Sequence, residues 1–352
     1  MYIEVKHLNK TFGNFKASND VSFDIKKGNL VALLGPSGSG KTTILRMLAG
    51  LENPDSGDIF IDGKRVNDIA PGERGIGFVF QNYALFRHMT VSQNIAFGLK
   101  IKKLKKQDII SRTNELIDLV GLKGMENRYP HQLSGGQRQR VAFARAIAPN
   151  PSVLLLDEPF AAIDAKVRKE LRTWLKEMIH KLGVTSIFVT HDQEEAIDVS
   201  DEIIVTNKGQ IEQKGTPVEI YKKPLTPFVA HFIGESSVVS NASIFRGFAE
   251  IEEDKKSIIR PEFIEIGRID EFINPSATDI GFVKSISFHG SNWEIVVDIN
   301  GCLLTGYRSL EKPALKEGEE VSVLIHRLYL FDNTETKIIE NKLKIDPMPV
   351  YI

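Results

Sequence analysis

The chain has 352 residues, which is long for one domain of about 150 residues and sufficient for two. Its 45 Lys and Arg residues nearly balance 46 Asp and Glu residues, and the formal charge of −1 argues against a basic nucleic-acid-binding protein, although a local basic patch is compatible with it. A hydrophobic content of 42% with 26% charged residues is ordinary for a globular protein and excludes a disordered chain. The single cysteine, Cys302, excludes an internal disulfide framework and favours a reducing compartment.

The sequence predicts neither a targeting segment nor a membrane-spanning segment. The N-terminal stretch MYIEVKHLNK carries Glu4 and lacks the apolar run of a signal peptide. The longest apolar runs, at 30–34 and 153–156, are far shorter than the ~20 residues that span a bilayer. We therefore expect any role at a membrane to depend on a partner.

The first two thirds of the chain have the pattern of an α/β protein. The apolar run 30–34, a Gly-rich turn and the helical stretch 41–48 predict a strand–loop–helix unit. The runs 153–156 and 185–189 predict two further buried parallel strands. Between them, apolar residues spaced by three and four predict a helix with Asp164 as its N-cap and Gly183 as its end.

A helical insert interrupts the α/β pattern, and a strand-rich pattern follows it. Residues 94–130 read mainly as helix and interrupt the strand pattern. Beyond residue 235, short alternating runs separated by turn residues predict a small barrel or sandwich. We therefore divide the chain into an α/β domain, 1–235, and a β-rich domain, 236–352.

A phosphate-binding loop is predicted directly after the first buried strand. Its glycines let backbone N–H groups converge on phosphate oxygens, and the following helix N-terminus adds positive potential. Lys41 supplies a charge to the β- and γ-phosphates, and the Thr42 hydroxyl can bind Mg²⁺. An ordinary Gly-rich turn is the alternative, but it leaves Lys41 and Thr42 in register unexplained. The loop residues are Gly35, Pro36, Ser37, Gly38, Ser39, Gly40, Lys41 and Thr42.

Two carboxylates, Asp157 and Glu158, follow the apolar run 153–156. Adjacent strand residues point to opposite faces, so the two can take different roles. Asp157 can hold the hydration shell of a magnesium ion, while Glu158 can polarise an attacking water. The alternative is a strand end with two solvated acids, which the neighbouring phosphate loop makes less favourable.

A second helix N-terminus that could bind an anion is predicted at Leu133-Ser-Gly-Gly-Gln137. Ser134 has the character of an N-cap, and the helix that follows is rich in Ala and Arg. In isolation the segment would be an ordinary capped helix. Together with the phosphate loop it suggests that both elements share one nucleotide.

These motifs, in this order, resemble the ATPase subunit of an ATP-binding-cassette transporter. The resemblance covers residues 1 to about 235 and implies a P-loop ATPase cassette with a helical insert, followed by a small all-β, barrel-like C-terminal domain. It implies ATP as the bound nucleotide and Mg²⁺ as its metal, with Thr42, Gln81 and Asp157 at the metal. The residues in motif positions are Phe12, Gly35–Thr42, Gln81, Leu133–Gln137, Asp157, Glu158, Asp164 and His191.

The resemblance also implies a role for each position. Glu158, His191, Gln81 and Lys41 would act in catalysis. Phe12 would stack on adenine, although a strand-end core aromatic is the alternative; Gln81, otherwise a solvated loop amide, would report nucleotide state. Ser134, Gly135, Gly136 and Gln137 would act on ATP held by a second copy, which Asp164 would also contact. The nucleotide-binding set is completed by Pro36, Ser37, Gly38, Ser39, Gly40, Thr42 and Thr43.

Among such ATPases, the chain looks most like those of sulfate/thiosulfate importers. The basis is the run 73–91, with Arg87-His88-Met89 as its most distinctive part, continuing to 94–99. The expected partners are a second copy in a head-to-tail ATP-sandwich dimer, integral membrane permease subunits and, indirectly, an extracellular solute-binding protein, with no nucleic acid. The expected location is the cytoplasmic face of the cell membrane, and the β-rich domain would regulate or dimerise.

Three alternatives remain at this point. The transported solute could instead be molybdate, a polyamine, iron or a sugar, since related importers share most of these residues. A soluble cassette ATPase acting on nucleic acid or the ribosome is the rival from another class, but the short separation of Gly35 from Leu133 leaves no room for a long coiled-coil insertion. An inactive subunit is disfavoured because Lys41, Glu158 and His191 are all present.

Overall fold

The computed structural model describes residues 1–161, 165–253, 255–331, 336–345 and 347–348. They fall into two compact units, Met1–Val218 and Glu219–Ile352. Among the described residues we find no helix with both the length and the apolarity needed to cross a bilayer.

The first unit alternates strands and helices along most of its length. Its strands are β1 Ile3–Phe12, β2 Phe15–Ile25, β3 Leu30–Leu34, β4 Ser56–Ile61, β5 Lys64–Arg65, β6 Ile76–Val79, β7 Val153–Asp157, β8 Thr185–Thr190, β9 Glu202–Asn207 and β10 Gln210–Gly215. Its helices are α1 Lys41–Ala49, α2 Val91–Ile101, α3 Lys106–Leu119, α4 Gly135–Ile147, α5 Ala165–Leu182 and α6 Gln193–Val199, with 3₁₀ turns at Pro71–Glu73 and Pro130–Gln132.

A six-stranded sheet in the order β10-β9-β3-β8-β7-β6 forms the centre of this unit. All neighbouring strands except β10 and β9 pair in parallel. Every residue of β3, β7 and β8 is buried, as expected for strands covered on both faces. Since parallel strands end at the same edge, the loops that follow β3, β6, β7 and β8 meet there.

A second, antiparallel sheet and a helical insert surround this centre. The antiparallel sheet has the order β2-β1-β4-β5, and β1 and β2 form a long hairpin that closes at Phe12 and Phe15. Helices α2, α3 and α4 lie between β6 and β7, and α2 and α3 occupy the helical insert predicted at 94–130. Helix α2 begins at a capping box in which Thr90 and Gln93 exchange side-chain-to-backbone hydrogen bonds. Helix α5 ends at Gly183, whose φ of 63° is left-handed, as predicted; Asp164, its expected N-cap, lies outside the described residues.

The second unit consists mainly of strands. They are β11 Ser237–Val239, β12 Lys256–Ile259, β13 Ile264–Gly267, β14 Asp279–Phe288, β15 Asn292–Ile299, β16 Cys302–Ser309, β17 Glu320–Ile325, β18 Arg327–Phe331 and β19 Thr336–Glu340. Helix α7, Pro217–Lys222, and helix α8, Pro227–Phe232, precede them, and 3₁₀ turns lie at Ala242–Ile244, Pro261–Phe263, Ile269–Glu271 and Pro275–Ala277.

Five of these strands close into a barrel in the order β13-β16-β15-β14-β17. The remaining strands form a sheet in the order β11-β12-β18-β19. Inward-facing side chains such as Val283, Ile295, Leu304 and Val323 fill the barrel core. The predicted fold class, a P-loop cassette with a small all-β barrel after it, is confirmed.

The two compact units divide after Val218, whereas we predicted a domain boundary at 235, which stays a prediction. Residues 219–235 belong with the second unit. Arg260 holds this segment to the second unit, since it is fully buried and donates hydrogen bonds to the carbonyls of Ile233, at 2.7 Å, and Tyr221, at 3.1 Å.

Candidate functional site

The loop after β3 fits its surroundings so tightly that two of its glycines cannot be replaced without a shift. A Cβ atom on Gly35 would lie 2.2 Å from the carbonyl oxygen of Thr206. A Cβ atom on Gly40, whose φ is 95°, would lie 1.9 Å from the carbonyl oxygen of Ala17. The Ser39 and Thr206 hydroxyls are 3.0 Å apart and hold the loop to β9. The glycines therefore set the loop path as well as exposing its N–H groups.

Lys41 begins α1 and lies inside the loop, with a side chain that is only 6% exposed. Its Nζ donates to the carbonyls of Gly35 and Pro36, both at 2.8 Å. Burial lowers the pKa of Lys41, while the nearby Glu158 and Asp157 carboxylates act in the opposite direction. An ammonium group held beside a Gly-rich loop at a helix N-terminus is suited to bind phosphate.

Thr42 and Asp157 meet across the gap between α1 and the end of β7. The Thr42 hydroxyl donates to Asp157 Oδ1 at 3.0 Å. Asp157 is 5% exposed, and burial raises the pKa of its carboxyl group, although the Thr42 hydrogen bond and Arg46 oppose that rise. A cation placed beside a buried carboxylate stabilises its charged form.

Glu158 leaves β7 through a backbone turn with a positive φ of 44°, which is unusual for a residue with a side chain. Its N–H donates to the carbonyl of Val189 at 3.1 Å, so the turn is held by β8. The carboxylate accepts a hydrogen bond from Gln81 Nε2 at 2.9 Å on one oxygen. His191 Nδ1 lies 3.5 Å from the other. The three side chains thus form one cluster at the sheet edge.

A buried network orients the turn that carries His191. The Thr190 hydroxyl donates to Glu195 Oε2 at 2.5 Å and accepts from the N–H of Asp192 at 3.0 Å. Asp192 in turn accepts from the N–H of Glu195 and caps α6. Glu195 is 5% exposed, and burial raises the pKa of its carboxyl group despite the Thr190 hydrogen bond. Sequence reasoning missed this pair, since Thr190 reads as a strand residue and Glu195 as a solvated helix acid.

The helix start at Ser134 is a complete capping box. Gln137 donates its N–H to Ser134 Oγ at 3.3 Å, and the N–H of Ser134 donates to Gln137 Oε1 at 2.9 Å. Ser134 is exposed, and Gly135 and Gly136 are partly exposed. In the described part of the chain no hydrogen bond or ion pair joins residues 133–137 to residues 35–42. The structure does not bring this predicted element onto the phosphate loop of the same chain.

The remaining predicted residues lie at the edge of the site or outside the residues that the structure describes. Phe12 stands at the tip of the β1–β2 hairpin with 47% of its surface exposed, and Lys10 Nζ lies 5.2 Å from its ring centroid. That exposure argues against the core-aromatic alternative. Thr43 is partly buried within α1. Asp164 lies outside the described residues, so its predicted contact has no geometry to report.

The oxygen donors at this edge suit a magnesium ion that keeps most of its other ligands from phosphate and water. The Thr42 hydroxyl and the Asp157 carboxylate are adjacent, and the described residues contain no cluster of three or more His, Cys, Asp or Glu side chains suited to a metal. Magnesium is typically bound by one or two protein oxygens together with substrate phosphates. The donor set therefore fits a nucleotide-bound magnesium better than a metal held by protein alone.

Comparisons with known proteins point the same way. Residues 18–161 match the family described as ABC transporter. The chain is 46% identical to the sulfate/thiosulfate import ATP-binding protein CysA of Halalkalibacterium halodurans, over 94% of this chain and 98% of that protein. It is 55% identical to the protein of the same name from Synechococcus elongatus, over 75% of this chain and 77% of that one. A dimeric structure of the ATP-binding cassette MJ0796 in a post-hydrolysis state, bound to ADP and Pi, has a TM-score of 0.55 and 33% identity, and covers 61% of this chain and 98% of that chain.

Proposed function

The chain belongs to the ATP-binding-cassette transporter family, and we propose that it is the ATP-hydrolysing subunit of an importer for sulfate and thiosulfate. The observation that carries the hydrolytic part is the convergence, at one edge of the central sheet, of Lys41, the Thr42–Asp157 pair and the Glu158–Gln81–His191 cluster. The solute rests on the names of relatives that match most of the chain.

Phosphoryl transfer to water depends mainly on positioning and charge stabilisation, and the cluster offers both. Lys41 and the N–H groups at the start of α1 bind the β- and γ-phosphates of ATP. Thr42 and Asp157 would hold Mg²⁺, which would supply neutralisation of charge on the phosphates. These assignments follow the loop path and the 3.0 Å contact of the Thr42 hydroxyl with Asp157.

Glu158 is the base that orients and deprotonates the attacking water. Its two carboxylate oxygens have separate neighbours, Gln81 at 2.9 Å and His191 at 3.5 Å, which fix its direction at the sheet edge. Gln81 would contact the attacking water or the metal, and His191, with 57% of its side chain exposed, would contact the γ-phosphate. The Thr190–Glu195 hydrogen bond keeps the His191 turn in place.

A second copy of the chain completes the site. The exposed helix start at Ser134–Gln137 makes no hydrogen bond to residues 35–42 in the described part of the chain. The N–H groups of Gly135 and Gly136, which take no part in the capping box, would bind ATP held by the partner. The dimeric state of the related cassette MJ0796 supports this assembly. Closure of two copies excludes water and brings the second half of each site into place.

The transported solute passes through other subunits. We assign to the assembly membrane permease subunits and an extracellular solute-binding protein, and place this chain at the cytoplasmic face of the membrane. The β-rich second unit regulates the assembly or helps to hold the two copies together.

Uptake of labelled sulfate tests the solute assignment. Cells that lack this chain should lose sulfate uptake and recover it with the wild-type gene but not with Glu158→Gln, while uptake of molybdate and of a polyamine should not change. Loss of molybdate or polyamine uptake alone would reassign the solute. Sulfate uptake that persists without this chain, in cells with no second sulfate importer, would contradict the assignment.

A further inference from the structure

The turn after Gln81 holds two consecutive residues in a strained backbone conformation. Tyr83 has a φ of 62° and Ala84 a φ of 44°, although neither is glycine. The Tyr83 side chain is 4% exposed, so the turn is also anchored inward. Such conformations persist only where the surroundings hold them, and they cluster at functional sites.

Arg145 holds this turn. Its guanidinium donates one hydrogen bond to the carbonyl of Tyr83 at 2.8 Å and another to the carbonyl of Ala84 at 2.7 Å. The same group lies 5.5 Å from the ring centroid of Phe86. The planar guanidinium presents several N–H groups in a fixed fork geometry, so that one can donate to each of two adjacent carbonyls.

The environment of Arg145 indicates that its charge serves this purpose. Burial lowers the pKa of Arg145. Among the described residues we find no carboxylate within ion-pair distance of its guanidinium. A partly desolvated cation without a counter-charge is unfavourable unless its donors are satisfied, and the two carbonyls of the turn accept from it.

The far end of the same segment is held as well. Asn94 is fully buried in α2, and its amide donates to the carbonyls of Phe86, at 3.2 Å, and Met89, at 3.1 Å. Its Oδ1 accepts from the N–H of Phe86 at 2.9 Å. The chain from Gln81 to Thr90 is therefore tied to Glu158, to α4 and to α2 in succession.

We propose that Arg145 is a positioning residue for ATP hydrolysis: it clamps the strained turn at Tyr83 and Ala84, and thereby fixes Gln81 against Glu158. Because Arg145 lies on α4, the helix that begins just after Ser134, the clamp also links the Glu158 cluster to the helix start offered to the partner's nucleotide. The role rests on the proposed function of Glu158 and Gln81 and adds to it a residue that touches neither the nucleotide nor the attacking water.

The test compares substitutions at two arginines of α4 in the full-length chain. Arg145→Met removes both hydrogen bonds to the turn, and Arg145→Lys keeps the charge without the fork. Arg140→Met is the matched control, since Arg140 also donates to a carbonyl, that of Val120 at 3.3 Å, and lies 5.1 Å from the Trp174 ring, away from the turn. Steady-state ATP hydrolysis gives kcat and KM, and thermal unfolding reports folding.

We expect Arg145→Met to lower kcat by roughly tenfold or more while KM for ATP stays within about twofold, since misplacement of a group beside the reacting atoms affects the rate rather than the phosphate loop. Arg145→Lys should lie between it and the wild type, which keeps the test valid if the Met variant fails to fold. Arg140→Met should keep the wild-type kcat. Equal kcat in the Arg145 variants and the Arg140 control would overturn the proposal.

Ala84→Gly gives a second test, because it should restore kcat only if Arg145 acts by holding the turn. Glycine adopts a positive φ without strain, so the turn then depends less on its clamp. In the Arg145→Met background Ala84→Gly should recover part of the lost kcat, and the two changes should be non-additive. Strict additivity would overturn the proposal. Phosphate release by the wild type, and its loss in Glu158→Gln, test the proposed hydrolysis separately.

Discussion

Replacing Gly40 by alanine is the sharpest test of the phosphate loop as the structure has it. At a φ of 95° the new residue would be strained, at a cost of roughly 1–2 kcal/mol for a left-handed backbone. Its Cβ would also lie 1.9 Å from the carbonyl oxygen of Ala17 on β2, where ordinary van der Waals contacts lie at 3.4–4 Å. The loop or the strand must therefore move by about 1 Å or more, and a misplacement of about 1 Å can lower the rate of an enzymatic reaction by on the order of a hundredfold.

Two other glycines provide controls for the strain alone. Gly38, in the same loop, has a φ of 79°, and Gly63, in the β4–β5 turn, has a φ of 73°, and neither has an atom within 4 Å of its added Cβ. We expect Gly38→Ala and Gly63→Ala to lower the free energy of unfolding by roughly 1–2 kcal/mol. Gly40→Ala should lower it further and should lower kcat for ATP hydrolysis by about a hundredfold, whereas Gly63→Ala should leave kcat unchanged. Chemical unfolding and steady-state ATP hydrolysis measure the two effects; a Gly40→Ala protein as stable as Gly63→Ala, with the wild-type kcat, would refute the tight fit of the loop against β2.

Three further substitutions probe the site and the second unit. Thr42→Val removes the hydroxyl that donates to Asp157 and should lower magnesium-dependent hydrolysis by roughly ten- to hundredfold, whereas Thr42→Ser should recover it. Equal rates in Thr42→Val and the wild type would contradict the metal role of Thr42. Phe12→Ala should raise the KM for ATP by about three- to tenfold, since a stacked aromatic contributes roughly 0.5–1.5 kcal/mol, whereas Phe12→Tyr should leave the KM unchanged. An unchanged KM in Phe12→Ala would show that Phe12 does not belong to the site. Burial alone would raise the pKa of Glu271, but hydrogen bonds from Arg308 lower it from 4.5 to about 2. The ionised carboxylate therefore adds about 3 kcal/mol to the free energy of unfolding above pH 4.5, and this contribution is lost as the pH falls towards 2. Unfolding curves measured from pH 6 to pH 3 should show this loss in the wild type and less of it in Glu271→Gln, and equal slopes would contradict the assignment.

Sequence patterns predicted those parts of the fold that depend on short-range order. The apolar run Leu30–Leu34 is β3 to the residue, and the helix expected at 41–48 is α1, one residue longer. Both follow from local composition, since a fully apolar strand and a glycine-flanked helix leave few alternatives. In the barrel, the alternating runs 282–287 and 293–298 lie within β14 and β15, which extend beyond them by one to three residues at each end. Strand β16 was not predicted, and its Cys302-Leu-Leu-Thr-Gly-Tyr pattern, with Gly306 inside it, has little alternation to detect.

The features of the site that were not predicted depend on residues far apart in sequence. Arg145 and Ala84 are 61 positions apart, and nothing near either one marks the hydrogen bond that joins them. The positive φ values of Tyr83 and Glu158 are also invisible in sequence, because such conformations are imposed by tertiary contacts on residues that do not favour them. Motif spacing thus located the edge of the sheet where the site forms, whereas the supports behind Gln81 and His191 required the fold.

ATP hydrolysis by Glu158→Gln, measured beside the wild type and together with molecular mass in the presence of ATP, tests the central claim most directly. The substitution removes the charge of the base but keeps an acceptor oxygen for Gln81, so ATP binding and the geometry of the cluster should survive. We predict that phosphate release falls by roughly a hundredfold or more and that the variant accumulates as an ATP-dependent dimer. Turnover equal to that of the wild type would show that Glu158 does not act as the base, and would contradict the account.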